Sequence, residues 1–129
     1  KVIPGAYTIL LKRNKTLPKQ LQDKRKIVGL RVPNSPLLIE LINLFGKPLA
    51  TSSLPSFQEQ QGLSPTYVSY GYQVNEQYGN QLDLILDLGE EVPYRETTVL
   101  DFSDHPLKLI RKGVGDISVF SEIIEEDQP

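Results

Sequence analysis

Ile27-Val28-Gly29-Leu30-Arg31-Val32-Pro33-Asn34-Ser35-Pro36-Leu37-Leu38-Ile39-Glu40-Leu41-Ile42-Asn43-Leu44-Phe45-Gly46 changes its hydrophobic period midway, and that change decides the fold class. Residues 27–32 form a nearly continuous apolar run, broken by Gly29 and Arg31, as expected for a strand covered on both faces. From Ser35 onward the pattern becomes helical. Ser35 or Asn34 can cap the first exposed amides, Pro36 suits the first turn, and Gly46 suits a left-handed stop. Leu37, Leu38, Leu41, Leu44 and Phe45 fall on one helical stripe. Residues 49–53 are strand-like again, so a strand–helix–strand unit with a right-handed crossover is predicted here.

Working outward, residues 6–11, 82–86, 97–102 and 107–111 also read as strands, with 82–86 covered on both faces like 27–32. In 54–81 Pro and Gly interrupt every period, and part of 66–78 reads as a short helix. Its tyrosines, Tyr67, Tyr70, Tyr72 and Tyr78, could stack on bases, although half-buried packing is the commoner use of such rings. Residues 122–129, with Glu122, Glu125, Glu126 and Asp127, read as a frayed acidic tail, leaving 1–121 as the folded part.

The chain has 129 residues, a net charge of −2 and 39% hydrophobic residues, which fits one compact soluble domain or part of one. It contains no Cys and a single histidine, His105, which lies before Pro106 and reads as a surface residue of a turn. Disulfides, thiolate zinc sites, iron–sulfur clusters, cysteine nucleophiles and multi-histidine metal sites are excluded. Chemistry must therefore come from hydroxyls, carboxylates, Arg, Lys and backbone amides. No apolar run approaches the roughly 20 residues of a membrane span, and the start lacks a signal-peptide core, so a cytoplasmic protein without membrane association is expected. Charge is divided unevenly, +8 over residues 1–50 and −10 over 51–129. The first half could face an anion, or the two halves could neutralise one another on folding.

Four clusters could carry chemistry. Pro4-Gly5-Ala6-Tyr7-Thr8 is a turn feeding a strand, in which Gly5 allows close backbone approach and Thr8 offers a hydroxyl. Lys24-Arg25-Lys26 precedes Arg31, whose guanidinium in an apolar strand needs a carboxylate, a phosphate or a route to solvent. Thr51-Ser52-Ser53 supplies three hydroxyls able to donate to an anion. Glu96-Thr97-Thr98-Val99 and Arg111-Lys112-Gly113-Val114-Gly115 could close one anion pocket, with Arg111 bidentate on a phosphate. Gly-x-Ser-x-Gly, a Walker motif and Gly-x-Gly-x-x-Gly are absent.

Taken in order, these segments resemble the YrdC/YciO family, which includes the threonylcarbamoyl-AMP synthases. The resemblance is carried by residues 4–12 (PGAYTILLK), 24–33 (KRKIVGLRVP), 46–54 (GKPLATSSL), 83–87 (DLILD), 97–101 (TTVLD) and 111–116 (RKGVGD). Each motif is loose alone; six in family order across nearly the whole chain are specific. The resemblance implies a twisted mixed α/β sheet with flanking helices around a basic cavity. It further implies binding of ATP with Mg2+, of L-threonine and of bicarbonate, synthesis of threonylcarbamoyl-AMP, and service to threonylcarbamoyladenosine modification of tRNA. By the same resemblance Thr8, Thr51, Ser53 and Arg111 would line the nucleotide region, and Arg31 and Thr97 the threonine region, with Thr98 a neighbouring hydroxyl. Family members also resemble double-stranded RNA binders, so a non-catalytic RNA-binding module is the alternative.

Two departures qualify the resemblance. The synthases usually read Ser-Thr-Ser-Ala-Asn where this chain has Thr51-Ser52-Ser53-Leu54-Pro55, and Leu54 with Lys24-Arg25-Lys26 leans toward the YciO branch. Family members also begin with a stretch carrying a Lys-x-Arg motif that has no counterpart here, so the chain is expected to be the C-terminal part of such a domain. On that expectation residues 1–129 alone are not a competent enzyme and not a stable monomer. Losing the cover of a sheet forfeits about 25 cal/mol per Å2 of apolar surface, against a net stability of roughly 5–15 kcal/mol. Cooperative unfolding of residues 1–129 as a monomer, together with ATP binding, would overturn it.

Overall fold

Long aliphatic and β-branched residues dominate Tyr7–Lys12 (β1), Ile27–Leu30 (β2), Thr98–Asp101 (β3) and Leu107–Arg111 (β4). In a computed structural model, which describes residues 2–14, 26–52, 54, 68–122, 124 and 125, these strands and Ile124–Glu125 (β5) form one sheet. Its order is β2-β1-β3-β4-β5. The β1–β2 and β3–β4 pairs are antiparallel, whereas β1–β3 and β4–β5 are parallel. The sheet is therefore mixed and the class α/β, as expected. The chain divides into two compact units, residues 1–50 with 95–129 and residues 51–94.

Strand periodicity places the core of the first unit. Tyr7 stands opposite Thr98 and Ile9 opposite Leu100, so these residues share a sheet face, and Leu109 pairs with Leu100 beyond them. Tyr7, Leu100, Leu107 and Phe120 are buried there, with Val2 and Leu109 packed against them. Phe120 arrives from a 3-10 turn, Ser118–Phe120, and meets Tyr7 and Phe102 edge to face, with ring centroids 6.1 and 6.3 Å apart. The turn is held by Asp116, whose carboxylate accepts from the Ser118 amide and hydroxyl, both at 2.9 Å.

The helix forms where the sequence places it, at Pro36–Phe45 (α1). Ser35 accepts from the Leu38 amide at 3.4 Å, and Gly46 takes φ 71°, donating to the Ile42 carbonyl at 2.9 Å. In the second unit a helix at Gly71–Tyr78 (α2) falls within the expected 66–78. Its start is fixed by Gln73, whose Oε1 accepts from the Ser69 and Tyr70 amides at 2.9 and 3.1 Å.

Several expectations are corrected. Residues 49–52 and 82–86 form no strand, so the strand–helix–strand crossover at 27–53 is absent; Ser53 lies outside the described residues. Alternation gives a segment a face but not a partner, and a strand exists only when paired. Among the described residues β2 is an edge strand bonded to β1 alone, and its Ile27 and Leu30 are exposed, as are Leu82, Leu84 and Leu86. Neither run is covered on both faces. The α1 stripe is not a core face either: Leu37, Leu38, Leu44 and Phe45 are exposed and Leu41 only half-buried. Part of the acidic tail is ordered as β5, and 126–129 lie outside the described residues. Among the described residues no helix is long and apolar enough to cross a membrane.

The Ser118 hydrogen bonds hold the Asp116 carboxyl below its ordinary range. A depressed folded-state value stabilises the fold above the unfolded carboxylate value of about 4, and this is lost as pH falls through the folded value. Acid titration of stability should therefore lose slope below about pH 4 in Asp116→Asn. Identical slopes in the two proteins would show that the turn does not depend on the charge.

Candidate anion-binding site

Successive residues of extended backbone face opposite sides, and Thr97-Thr98, entering β3, divides two tasks in this way. Thr98, fully buried, donates its hydroxyl proton to the Gly115 carbonyl at 2.8 Å and accepts from the Gly113 amide at 3.0 Å. The 112–116 segment is thereby drawn beneath the start of β3. Val114 donates to the Glu96 carbonyl at 3.0 Å, and the Tyr7 hydroxyl donates to the Asp116 carbonyl at 3.0 Å. The approach is so close that a Cβ on Gly113 would collide with the Glu96 carbonyl oxygen and the Thr97 carbonyl group.

Thr97, 7% exposed, turns the other way, and its Oγ1 lies 2.8 Å from Thr8 Oγ1. A register shift between Val99 and Leu100 sets Arg111 opposite Val99. The Arg111 guanidinium closes over Thr97: Nε and Nη2 donate to the Thr97 carbonyl at 3.2 and 3.0 Å, and Nη2 also reaches Thr97 Oγ1 at 3.3 Å. Nη1 faces Glu96 Oε1 at 3.4 Å in a half-exposed ion pair. The result is a cluster of two hydroxyls and one guanidinium on the face opposite Tyr7 and Leu100.

Of the residues singled out from sequence, Thr8, Thr97 and Arg111 meet in this cluster, with Thr98 behind them. Thr8 and Thr97, assigned by resemblance to different regions, share one hydrogen bond. The Arg111 fork grips a backbone carbonyl, the position that the sequence reading gave to a phosphate. Arg31 does not lie inside a strand: β2 ends at Leu30, and Arg31 is exposed, which gives its charge a route to solvent. It is bracketed alongside residues 6–8, since Leu30 pairs with Ile9 and the Val32 carbonyl accepts from the Gly5 amide at 2.9 Å. Thr51 is exposed in the other unit, while Ser53, Lys24 and Arg25 lie outside the described residues. His105 is exposed in a bend, as expected.

Sequence reasoning missed the Arg111 bonds to the Thr97 carbonyl and the Tyr7–Asp116 bond. Only the register shift brings the first about, and no composition signal marks it. In the second unit Tyr70 and Tyr72 lie with ring centroids 5.5 Å apart, both exposed rather than half-buried, and Glu91 accepts from the Tyr70 hydroxyl at 3.2 Å. The Glu91 charge raises the Tyr70 pKa. Tyr67 lies outside the described residues. Among the described residues no group of three or more His, Asp or Glu side chains could hold a metal ion.

Because Thr98 satisfies two backbone groups at once, Thr98→Val should destabilise by roughly 1–3 kcal/mol for each group left unpaired, with Thr98→Ser much milder. Urea denaturation of the parent and the two variants checks this; equal midpoints for the parent and Thr98→Val would refute it.

The Sua5_yciO_yrdC family, described as "Telomere recombination", matches residues 1–113. The Escherichia coli K12 protein YciO, described as uncharacterized, is 34% identical over 120 residues, which cover 91% of this chain and 54% of YciO. The threonylcarbamoyl-AMP synthase of Pyrococcus abyssi is 28% identical over 123 residues, 95% of this chain and 34% of the synthase. The crystal structure of E. coli YciO superposes with a TM-score of 0.74 at 35% identity, covering 91% of this chain and 54% of that one. P. abyssi Sua5 complexed with L-threonine shares the fold, with a TM-score of 0.73 at 23% identity over 95% of this chain and 36% of its own. The chain thus spans about half the length of the YciO proteins it matches. It is related to the threonylcarbamoyl-AMP synthases, and it belongs to the Sua5/YciO/YrdC family.

Proposed function

We propose that the protein carrying this sequence binds ATP and L-threonine and, with bicarbonate, makes threonylcarbamoyl-AMP for threonylcarbamoyladenosine modification of tRNA. The observation that carries this reading is the Thr8–Thr97–Arg111 cluster, a hydroxyl and guanidinium set suited to anionic oxygens, in a chain 28% identical to a threonylcarbamoyl-AMP synthase. Catalysis on this reading is positioning and charge stabilisation. A carbamate oxygen of N-carboxylated threonine attacks the α-phosphorus in line, the bond to the bridging oxygen breaks, and pyrophosphate leaves with the electron pair. The Thr8 hydroxyl would hold an oxygen of a reactant, and Arg31, beside residues 6–8, would face a carboxylate. Magnesium would arrive on the ATP phosphates and keep its waters, a mode that needs no dedicated protein cage.

A double-stranded RNA-binding module is the competing reading, favoured by the +8 charge of residues 1–50. Phosphate-backbone binding weakens steeply with salt, whereas a nucleotide site gives fixed stoichiometry and depends on the adenine. Calorimetry of the natural-length protein with ATP and with duplex RNA at two salt concentrations separates them. The expected result is one adenine-dependent ATP site, with Arg111→Ala weakening the binding of ATP or of L-threonine and Lys112→Ala costing under about 1 kcal/mol for either. Failure to make, bind or hydrolyse threonylcarbamoyl-AMP would overturn the reading.

A further inference from the structure

We infer that Arg111 is a positioning residue: it fixes Thr97, and through Thr97 it turns the Thr8 hydroxyl outward as the donor that meets an anionic oxygen of the ligand. The ligand side of this rests on the function proposed above; the chain of donors rests on geometry alone.

A guanidinium only donates, so Thr97 Oγ1 must accept from Arg111 Nη2 at 3.3 Å. The Thr97 hydroxyl proton then needs an acceptor, because the residue is buried and a buried hydroxyl proton without one is costly. Among the described residues Thr8 Oγ1, at 2.8 Å, is the acceptor within reach. Thr97 therefore donates and Thr8 accepts, which sets the direction of this bond, whose donor distance alone leaves open. Thr8 is half-buried and has no further hydrogen bond among the described residues, so its own proton is free to point away from Thr97. A charged donor at the head of a hydrogen-bonded chain polarises each member after it, so the terminal hydroxyl is a better donor than an isolated threonine.

Arg111 is poorly placed to serve the ligand directly. Its Nε and Nη2 share the Thr97 carbonyl, and Nη1 faces Glu96. A fork spent on a carbonyl cannot also clasp a phosphate. The arrangement depends on the planar geometry of arginine, which lysine lacks.

Two measurements on the natural-length protein decide the matter. In the ligand-free protein, arginine 15N spectra should show the Arg111 Nε–H as a slowly exchanging resonance and that of exposed Arg31 as a fast one. Equal exchange would overturn the inference whatever the ligand. Calorimetry with ATP and, separately, with L-threonine then tests the outward donor and shows whether phosphate or carboxylate oxygen receives it. Thr8→Val should weaken one of the two by about tenfold or more, with Thr8→Ser close to the parent. Arg111→Lys should lose as much as Arg111→Ala, and neither should change the salt dependence of ATP affinity. Partial retention by Arg111→Lys, or a flattened salt dependence in Arg111→Ala, would mean direct phosphate contact and sink the inference, provided thermal melts show both variants folded. If an Arg111 variant fails to fold, the Thr8 pair decides: equal affinities of Thr8→Val and the parent for both ligands overturn the outward donor. If the parent binds neither ligand, the proposed function falls and so does the outward role of Thr8, while the exchange result still stands for or against the Arg111–Thr97 link.

Discussion

Thr98 sits at the start of the central strand with no exposed surface, and its hydroxyl joins two backbone groups of the 112–116 segment that have no strand to bond with. Much of the first unit depends on this junction. It brings Asp116 to the Tyr7 hydroxyl, and Asp116 in turn shapes the turn that delivers Phe120 to the core. Each buried group left without a partner costs about 1–3 kcal/mol, a sizeable part of a typical net stability of roughly 5–15 kcal/mol. Gly113 follows from the same contact, since the backbones approach too closely for a side chain between them.

The neighbouring threonine uses the opposite side of the same stretch of backbone. Because extended chain alternates, one residue of the Thr97-Thr98 pair can be tied to the 112–116 segment and the next to the Thr8–Arg111 cluster. The two are coupled through the backbone between them: Thr98 anchors the segment that follows Arg111, and Arg111 returns to the carbonyl of Thr97. The cluster is thus preorganised by the packing of the opposite face. Such support is what a site acting by position requires.

Much of this was legible in the sequence where the signals were local. The caps of α1, the strand at 107–111 and the joining of Glu96-Thr97-Thr98-Val99 to Arg111-Lys112-Gly113-Val114-Gly115 follow from residue type and order. What was not legible depends on partners. Residues 82–86 carry the apolar run of a strand, yet among the described residues no strand pairs with them, and the α1 stripe predicts a buried face that is exposed here. Hydrophobic pattern reports what a segment can bury and is silent on where its cover comes from. The grip of Arg111 on a carbonyl was hidden for another reason: it follows from a shift of register, which leaves no trace in composition.

The register shift also bears on how such a site can choose among anions. A guanidinium laid directly on a ligand contributes charge, and charge attracts phosphate and carboxylate alike. Here the cation is partly offset by Glu96 and its fork is engaged by Thr97, so on the inference above the group offered to the ligand is a directed O–H. A hydroxyl rewards an oxygen at one distance and angle and falls off steeply elsewhere. On the proposed reading selectivity at this cluster is geometric, and the charge needed to hold an anion comes from a second cation. Arg31, whose backbone runs alongside residues 6–8 just past the edge strand, would on that reading take the task. On the proposed reading the two arginines thus divide the work differently from the sequence expectation, which gave Arg111 to the nucleotide and Arg31 to threonine: Arg111 sets geometry, and Arg31 supplies charge.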